Sequence, residues 1–316
     1  MSSFLNNLAL VVPLYVLIVL GYGLLRFAGW PTSISEGLTR FVFSVALPAT
    51  LFHMMTGLAQ LPAVDARLLI AFFGGCLVVF ALGRVLGKLL FAMNGEAQTV
   101  FALGGIFSNN LLLGVPFAKK MLGNGAMPSV ALILTFNSLI LWTLVTVSIE
   151  WARHGSLSQR GLLKTAKAVA SNPIVIGIFT GSAYGLSGLP LPELAEQTLD
   201  MVSNAAMPLA LVALGMGLAE FKAGNEWKVS WAISAVKLLA QPLVVWGLAL
   251  LLQLPPMETK VVVLLASIAV GANVFLMARQ FKVLEGAAAG SLLLSTALSG
   301  LTSPLLLALT SHFQAR

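Results

Sequence analysis

Charged side chains are scarce in this 316-residue chain, at 9% of residues against 58% hydrophobic, with a mean hydropathy of +0.95. A water-soluble domain carries roughly 25% charged residues, so too few are present to cover a solvent-facing surface, and a cytosolic enzyme is excluded. Cysteine is scarcer still. Cys76 stands alone inside an apolar stretch and the three histidines are scattered, so no intrachain disulfide, metal centre or bound cofactor is expected. Also missing are a phosphate-binding G-x-x-x-x-G-K-[ST] loop, an H-E-x-x-H zinc motif and a G-x-S-x-G elbow, which removes ATP-driven pumping and the common hydrolytic chemistries. Acids are outnumbered, 11 against 18 Lys and Arg, for a net charge of +7. No basic run interleaved with aromatics accompanies that excess, so nucleic acid is not a partner. What remains is an all-α integral membrane protein whose first partner is the lipid bilayer.

What the chain does have is apolar sequence in lengths of about 20 residues, the number a helix needs to cross hydrocarbon. Ten such spans are predicted, at 8–27, 36–58, 67–90, 97–118, 128–150, 165–186, 193–219, 228–252, 259–281 and 287–311. Short loops fill the gaps, with no soluble domain attached. The first span has neither a basic n-region nor a small-residue cleavage pattern and reads as a retained helix. Lys and Arg near span ends stay on the cytoplasmic side. Arg26, Arg40, Arg84, Lys88, Arg153, Arg160, Lys164, Lys167, Lys222, Lys228, Arg279 and Lys282 fall on one side, and Arg67, Lys119, Lys120, Lys260 and Arg316 on the other. Both termini are therefore predicted to be extracytoplasmic. Lys237 is on neither side because it falls within span 8.

Laid on itself with a shift of 160 residues, the chain brings Pro13 onto Pro173, Gly21 onto Gly181, Pro48 onto Pro208, Leu51 onto Leu211, and Gly57-Leu58-Ala59 onto Gly217-Leu218-Ala219. Leucine matches are cheap in so apolar a sequence, but prolines and glycines in register are not, since each constrains the backbone. The chain therefore reads as two five-helix units, 1–155 and 165–316, joined by a cytoplasmic connector at 156–164. Five is odd, so the second unit enters the membrane from the opposite side, an inverted repeat of the kind found in transporters.

Spans 4 and 9 occupy matching places in the two units. Span 4 contains Gly104-Gly105-Ile106-Phe107-Ser108-Asn109-Asn110 and Gly114-Val115-Pro116, and span 9 contains Ser267-Ile268-Ala269-Val270-Gly271-Ala272-Asn273. Two asparagines at mid-membrane, ahead of a proline that cannot donate to the preceding turn, predict a broken helix in span 4. Unwound backbone at that depth must be buried in protein or line a wet cavity. Crossing of two such spans would gather half-helix N-termini and asparagine side chains into a site for a small carboxylate.

These residues resemble the auxin efflux carrier family, which includes the PIN-type plant exporters and bacterial organic-acid permeases. The resemblance covers the whole chain. It rests on Ala46-Leu47-Pro48-Ala49, Ser108-Asn109-Asn110 through Gly114-Val115-Pro116, Ala206-Met207-Pro208-Leu209-Ala210-Leu211 through Leu214-Gly215, Lys237-Leu238-Leu239-Ala240-Gln241-Pro242 and Ala272-Asn273-Val274-Phe275. It implies a ten-helix transporter of the NhaA-like, bile-acid-symporter-like fold, with a scaffold, a transport domain, and crossing fourth and ninth helices. Carried over from PIN-type members, the asparagines that hold the substrate carboxylate are Asn109 and Asn273. Family members commonly have a proline at the ninth-helix break; this sequence has Ala269-Val270-Gly271-Ala272, so the break there is either softer or carried by Gly271. The long cytoplasmic loop of many plant members is missing, and the compact loops fit a bacterial inner-membrane permease for malonate, malate or a related acid.

The candidate residues carry plainer readings as well. Ser108, Asn109, Asn110 and Asn273 as ligands compete with simple interhelical bonding, worth about 1 kcal/mol or less. Lys237 is either a counter-charge for an anionic substrate or a tether to helix-end carbonyls or an acid. Pro48 and Pro208 kink spans 2 and 7 and free the carbonyls of Ser44 and Asn204, a potential cation or substrate ligand set; Gly114 and Pro116 are hinge candidates in span 4. His53 and Asp200 are candidates for proton or sodium coupling, set against a packed histidine and a solvated acid. Thr135, Asn137, Ser295, Thr296 and Ser299 read as helix-to-helix bonds, and Trp30, Trp151 and Trp227 as interfacial anchors. The function expected is secondary, alternating-access transport of a small mono- or dicarboxylate. The competing readings are a sodium/proton antiporter, disfavoured by the single buried-acid candidate, and a non-transporting substrate sensor. Homodimerisation stays open.

Overall fold

The computed structural model describes residues 2–57, 64–154, 171, 173–220 and 226–314, and its secondary structure among them is helical, apart from a single bridge between Ser108 and Val270. In chain order the helices are α1 (Ser2–Arg26), α2 (Thr32–Thr56), α3 (Arg67–Phe91), α4 (Gly95–Ile106), α5 (Val115–Leu122), α6 (Met127–His154), α7 (Pro173–Leu186), α8 (Glu193–Glu220), α9 (Trp227–Leu251), α10 (Pro256–Ser267), α11 (Ala272–Phe281) and α12 (Glu285–Gln314). Six helical stretches are long and apolar enough to cross a membrane: Leu8–Arg26 within α1, α2, α3, α8, α9, and Glu285–His312 within α12. The protein is thus a multi-pass membrane protein. The connector predicted at 156–164 and the first residues of the predicted span 165–186 lie outside the described residues.

Three helix irregularities follow proline chemistry. Three segments, Val42–Ala46, Asn110–Gly114 and Val236–Ala240, widen into π turns, each followed two residues later by a proline: Pro48, Pro116 and Pro242. Proline lacks an N–H and its ring collides with the carbonyl four residues back. A wider turn relieves that conflict, because the residue ahead of each proline bonds five residues back: Leu47 to Val42, Val115 to Asn110 and Gln241 to Val236. Pro208 behaves differently from its expected counterpart Pro48, since α8 runs helical through it. The start of α4 is set by Asn94, whose side chain accepts from the Ala97 N–H at 2.9 Å.

Glycines bring backbones together at two helix pairs. Gly21 on α1 lies against the Val212 carbonyl of α8, and Gly181 on α7 lies against the Phe52 carbonyl of α2, each so close that a Cβ would overlap it. The 160-residue shift converts one pair into the other. Gly215 on α8 meets the Ile18 carbonyl in the same manner. Polar residues of α12 point inward: Ser291, Ser295, Ser299 and Ser303 are fully buried. Large apolar side chains point outward, among them Val12, Val16 and Val19 on α1 and Ile70, Leu77 and Val85 on α3. Such a surface suits hydrocarbon and is unsuited to water.

Candidate functional site

Two helices stop in the interior of the protein. α4 ends at Ile106, Phe107 is extended (φ −85°, ψ 99°), and regular turns resume only with the π turn Asn110–Gly114. α10 ends at Ser267, Ile268 is extended (ψ 159°), and α11 starts at Ala272. The two interruptions pair with each other. The Asn109 N–H donates to the Ala269 carbonyl at 2.9 Å and the Gly271 N–H to the Phe107 carbonyl at 2.7 Å, the antiparallel bridge between Ser108 and Val270. Each break thereby satisfies backbone groups of the other, as unwound chain must when buried. Gly271 permits the approach, because a Cβ there would lie 3.1 Å from the Ser108 carbonyl oxygen and 3.2 Å from the Phe107 ring. The interruption between α10 and α11 contains no proline.

The breaks are braced from outside. Ser295 Oγ accepts from the Val270 N–H at 2.9 Å, and Ser303 Oγ donates to the Ser267 carbonyl at 2.9 Å, both from α12. On α9, Lys237 is fully buried and its Nζ donates to the Ala266 carbonyl at the end of α10 and to Gln241 Oε1 at 2.6 Å. Gln241 Nε2 donates in turn to the Ile106 carbonyl at the end of α4, 2.8 Å away, and reaches Cys76 Sγ at 3.4 Å. One lysine–glutamine pair therefore holds the C-terminal ends of both interrupted helices. Those ends carry partial negative charge, which the ammonium complements, while the helix starts across the breaks keep partial positive charge. Of the two roles open to Lys237 in the sequence, its observed bonds are those of a tether.

The side chains at the first break are left in want of partners. Ser108, Asn109 and Asn110 are 2%, 6% and 2% exposed, yet Ser108 Oγ, Asn109 Nδ2 and both side-chain polar atoms of Asn110 have no hydrogen-bond partner. An unsatisfied buried polar group costs about 1–3 kcal/mol. Four at one place mark a position for water or a ligand. Asn273 sits partly buried at the start of α11.

The sequence profile of a family described as membrane transport protein matches residues 8–307. The chain belongs to this family, that of the auxin efflux carriers. Among its relatives is a protein of Rhizobium meliloti (strain 1021) described as "Putative malonate transporter", 29% identical over 293 residues, which cover 92% of this chain and 91% of that one.

In this transport-family chain the other residues singled out in the sequence fall elsewhere. His53 and Asp200 meet, with Nδ1 3.5 Å from Oδ1, at a cavity of about 390 Å³ that Asn204 also lines. Ser44 is exposed and its hydroxyl bonds back to the Arg40 carbonyl at 2.6 Å, so it takes no part in either place. Among the helix-to-helix candidates, Thr135 bonds within its own helix to the Ala131 carbonyl, whereas Ser299 and the Thr296 carbonyl both engage the Tyr15 hydroxyl of α1. Gln241 and Ser303 were not singled out as site residues. The spacing of Lys237 and Gln241, four apart on one helix, was the available signal for the first; Ser303 had none.

Proposed function

We propose that the protein is a secondary transporter of a small organic anion, a mono- or dicarboxylate such as malonate or malate, that binds the substrate carboxylate at the paired breaks and works by alternating access. The observation that carries this reading is the set of orphaned buried polar atoms on Ser108, Asn109 and Asn110 beside helix starts of positive partial charge. In this reading Asn109, Asn110 and Asn273 donate their amide N–H groups to the carboxylate, Ser108 its hydroxyl, and Gly271 keeps the backbones close enough to form the site. Lys237 acts one layer back. Together with Gln241 it holds the two helix C-termini so that their negative ends stay away from the anion.

The same proposal takes the chain as ten spans in two inverted five-helix units, with α4–α5 and α10–α11 as the interrupted fourth and ninth spans. The recurrence of the Gly21–Val212 contact as Gly181–Phe52 supports it. Both termini are placed outside a bacterial inner membrane, and a sodium or proton gradient supplies the energy. The name of the Rhizobium relative supports malonate as the first acid to try. The test is uptake of labelled carboxylates into proteoliposomes under separately imposed Na⁺ and pH gradients. Uptake of a short carboxylate by the wild type, reduced at least tenfold in Asn109→Ala and in Asn273→Ala with normal expression, is the expected result. No transport or binding of any carboxylate by folded protein rejects the reading.

A further inference from the structure

The cavity at His53 and Asp200 lies between α2, α5 and α8, with Thr50, His53, Met54 and Gly57 on one wall, Asp200, Ser203 and Asn204 on another, and Lys119, Asn124 and Met127 on the third. Its ionisable lining groups are His53, Lys119 and Asp200. The Asp200 carboxylate is engaged by His53, 3.5 Å away. The neighbouring α7 presents Phe52 with Tyr184, whose hydroxyl is taken by the Pro190 carbonyl at 3.1 Å. Farther out on α8, Glu193 accepts a bond from Gln197 at 3.2 Å. Lys119 is the one lysine or arginine among the lining residues, and no salt bridge engages it among the described residues. Ser203 adds an independent sign: it is only 8% exposed, lines the cavity, and its Oγ has no hydrogen-bond partner. Lys119 also stands on the helix that continues from the first break, nine residues beyond Asn110, on the order of 10 Å along the axis.

We propose that this cavity is a second anion-binding site, an antechamber to the paired breaks, in which Lys119 and the hydroxyl and amide groups of Ser203, Asn204 and Asn124 receive the carboxylate of the transported acid. The proposal rests on the transport reading above. A volume of about 390 Å³ accommodates a short dicarboxylate together with several waters. A partly wet site suits this role, because an anion held by one screened lysine and neutral donors is concentrated without being trapped. Its walls come from α2 and α8 on one side and from the α5 to α6 region on the other, so relative movement of those parts would open or close it.

The probe is labelled malonate. In proteoliposomes Lys119→Gln should raise KM about three- to fivefold, the scale of a partly solvated charge contact, while the maximal rate changes less than about twofold. Lys119→Arg should restore most of the affinity. Ser203→Ala should raise KM about twofold. A binding measurement covers the case in which Lys119→Gln transports poorly for other reasons. Cys76, the one native cysteine, is buried, so Met54→Cys, at a lining position outside the proposed ligand set, provides a single accessible thiol in the cavity. Malonate should slow its modification by a membrane-impermeant thiol reagent, and adding Lys119→Gln should abolish the protection. An unchanged KM in Lys119→Gln, or protection that is absent or indifferent to Lys119, overturns the antechamber while leaving the transport reading intact. A wild type that takes up no carboxylate removes the transport reading itself.

Discussion

Removing Gln241 should damage the protein more than removing the buried charge it serves. In Gln241→Leu the Lys237 ammonium keeps the Ala266 carbonyl but loses Oε1, and the Ile106 carbonyl loses its donor. An under-partnered buried charge costs about 3–5 kcal/mol. Lys237→Met leaves Gln241 Oε1 and the Ala266 carbonyl bare, at about 1–3 kcal/mol each, but also lifts the several kcal/mol spent on desolvating an ammonium. Those terms oppose, so the net loss should be about 0–2 kcal/mol. The double variant contains no charge and only two bare carbonyls. It should therefore be more stable than Gln241→Leu alone, with a favourable coupling of about 3 kcal/mol. Thermal unfolding of detergent-solubilised protein, followed by the fluorescence of its six tryptophans, measures the four members of the cycle. The tether is refuted if Gln241→Leu unfolds no lower than Lys237→Met, or if the two losses simply add.

Other outcomes follow from the packing. Gly215→Ala should sharply lower the melting temperature, since its Cβ would strike the Ile18 carbonyl and the Tyr22 backbone nitrogen, whereas Gly217→Ala, which meets nothing within 4 Å, should gain up to about 1 kcal/mol of helix propensity. Equal effects in the two variants, read by the same melts, would discredit the α1–α8 contact. Gly271→Ala should separate the paired breaks by a few tenths of an ångström, for about 1–3 kcal/mol, and lower uptake more than Gly114→Ala does; normal uptake in Gly271→Ala would count against the bridge. Just ahead of α3, Asp65 is hydrogen-bonded by Arg67, the first residue of that helix, which holds its carboxyl below the ordinary carboxylate value. Its stabilisation is therefore present above the unfolded-state value and fades as pH falls through the lowered one, so wild type and Asp65→Asn should converge in melting temperature on acidification. Because Arg67 is exposed and Asp65 only partly buried, the difference at neutral pH should be small, and a large one would contradict the reading.

The interruption of the fourth span was legible from Ser108-Asn109-Asn110 and Pro116 because proline and asparagine act on the backbone within a turn of themselves. The interruption between α10 and α11 was less legible. Gly271 permits a break but does not compel one, and what holds it open is the Phe107 carbonyl, 164 residues away, with Ser295 behind it. Pro48 and Pro208 mark the opposite case. Their register in the sequence is the same, yet a π turn precedes the first and α8 continues through the second, so equal local signals met unequal surroundings.

The sequence by itself determined the solvent of this protein, its apolar segments and the failure of the helix at Ser108-Asn109-Asn110, since burial tendency and backbone freedom are properties of residues and their near neighbours. Which break lies against which, the commitment of Lys237 and Gln241 to the ends of two helices, and the meeting of His53, Lys119 and Asp200 around one cavity were decided only by the tertiary structure. A buried polar group takes whichever partner the fold brings within about 3 Å. Nothing in a hydropathy pattern says which residue that will be.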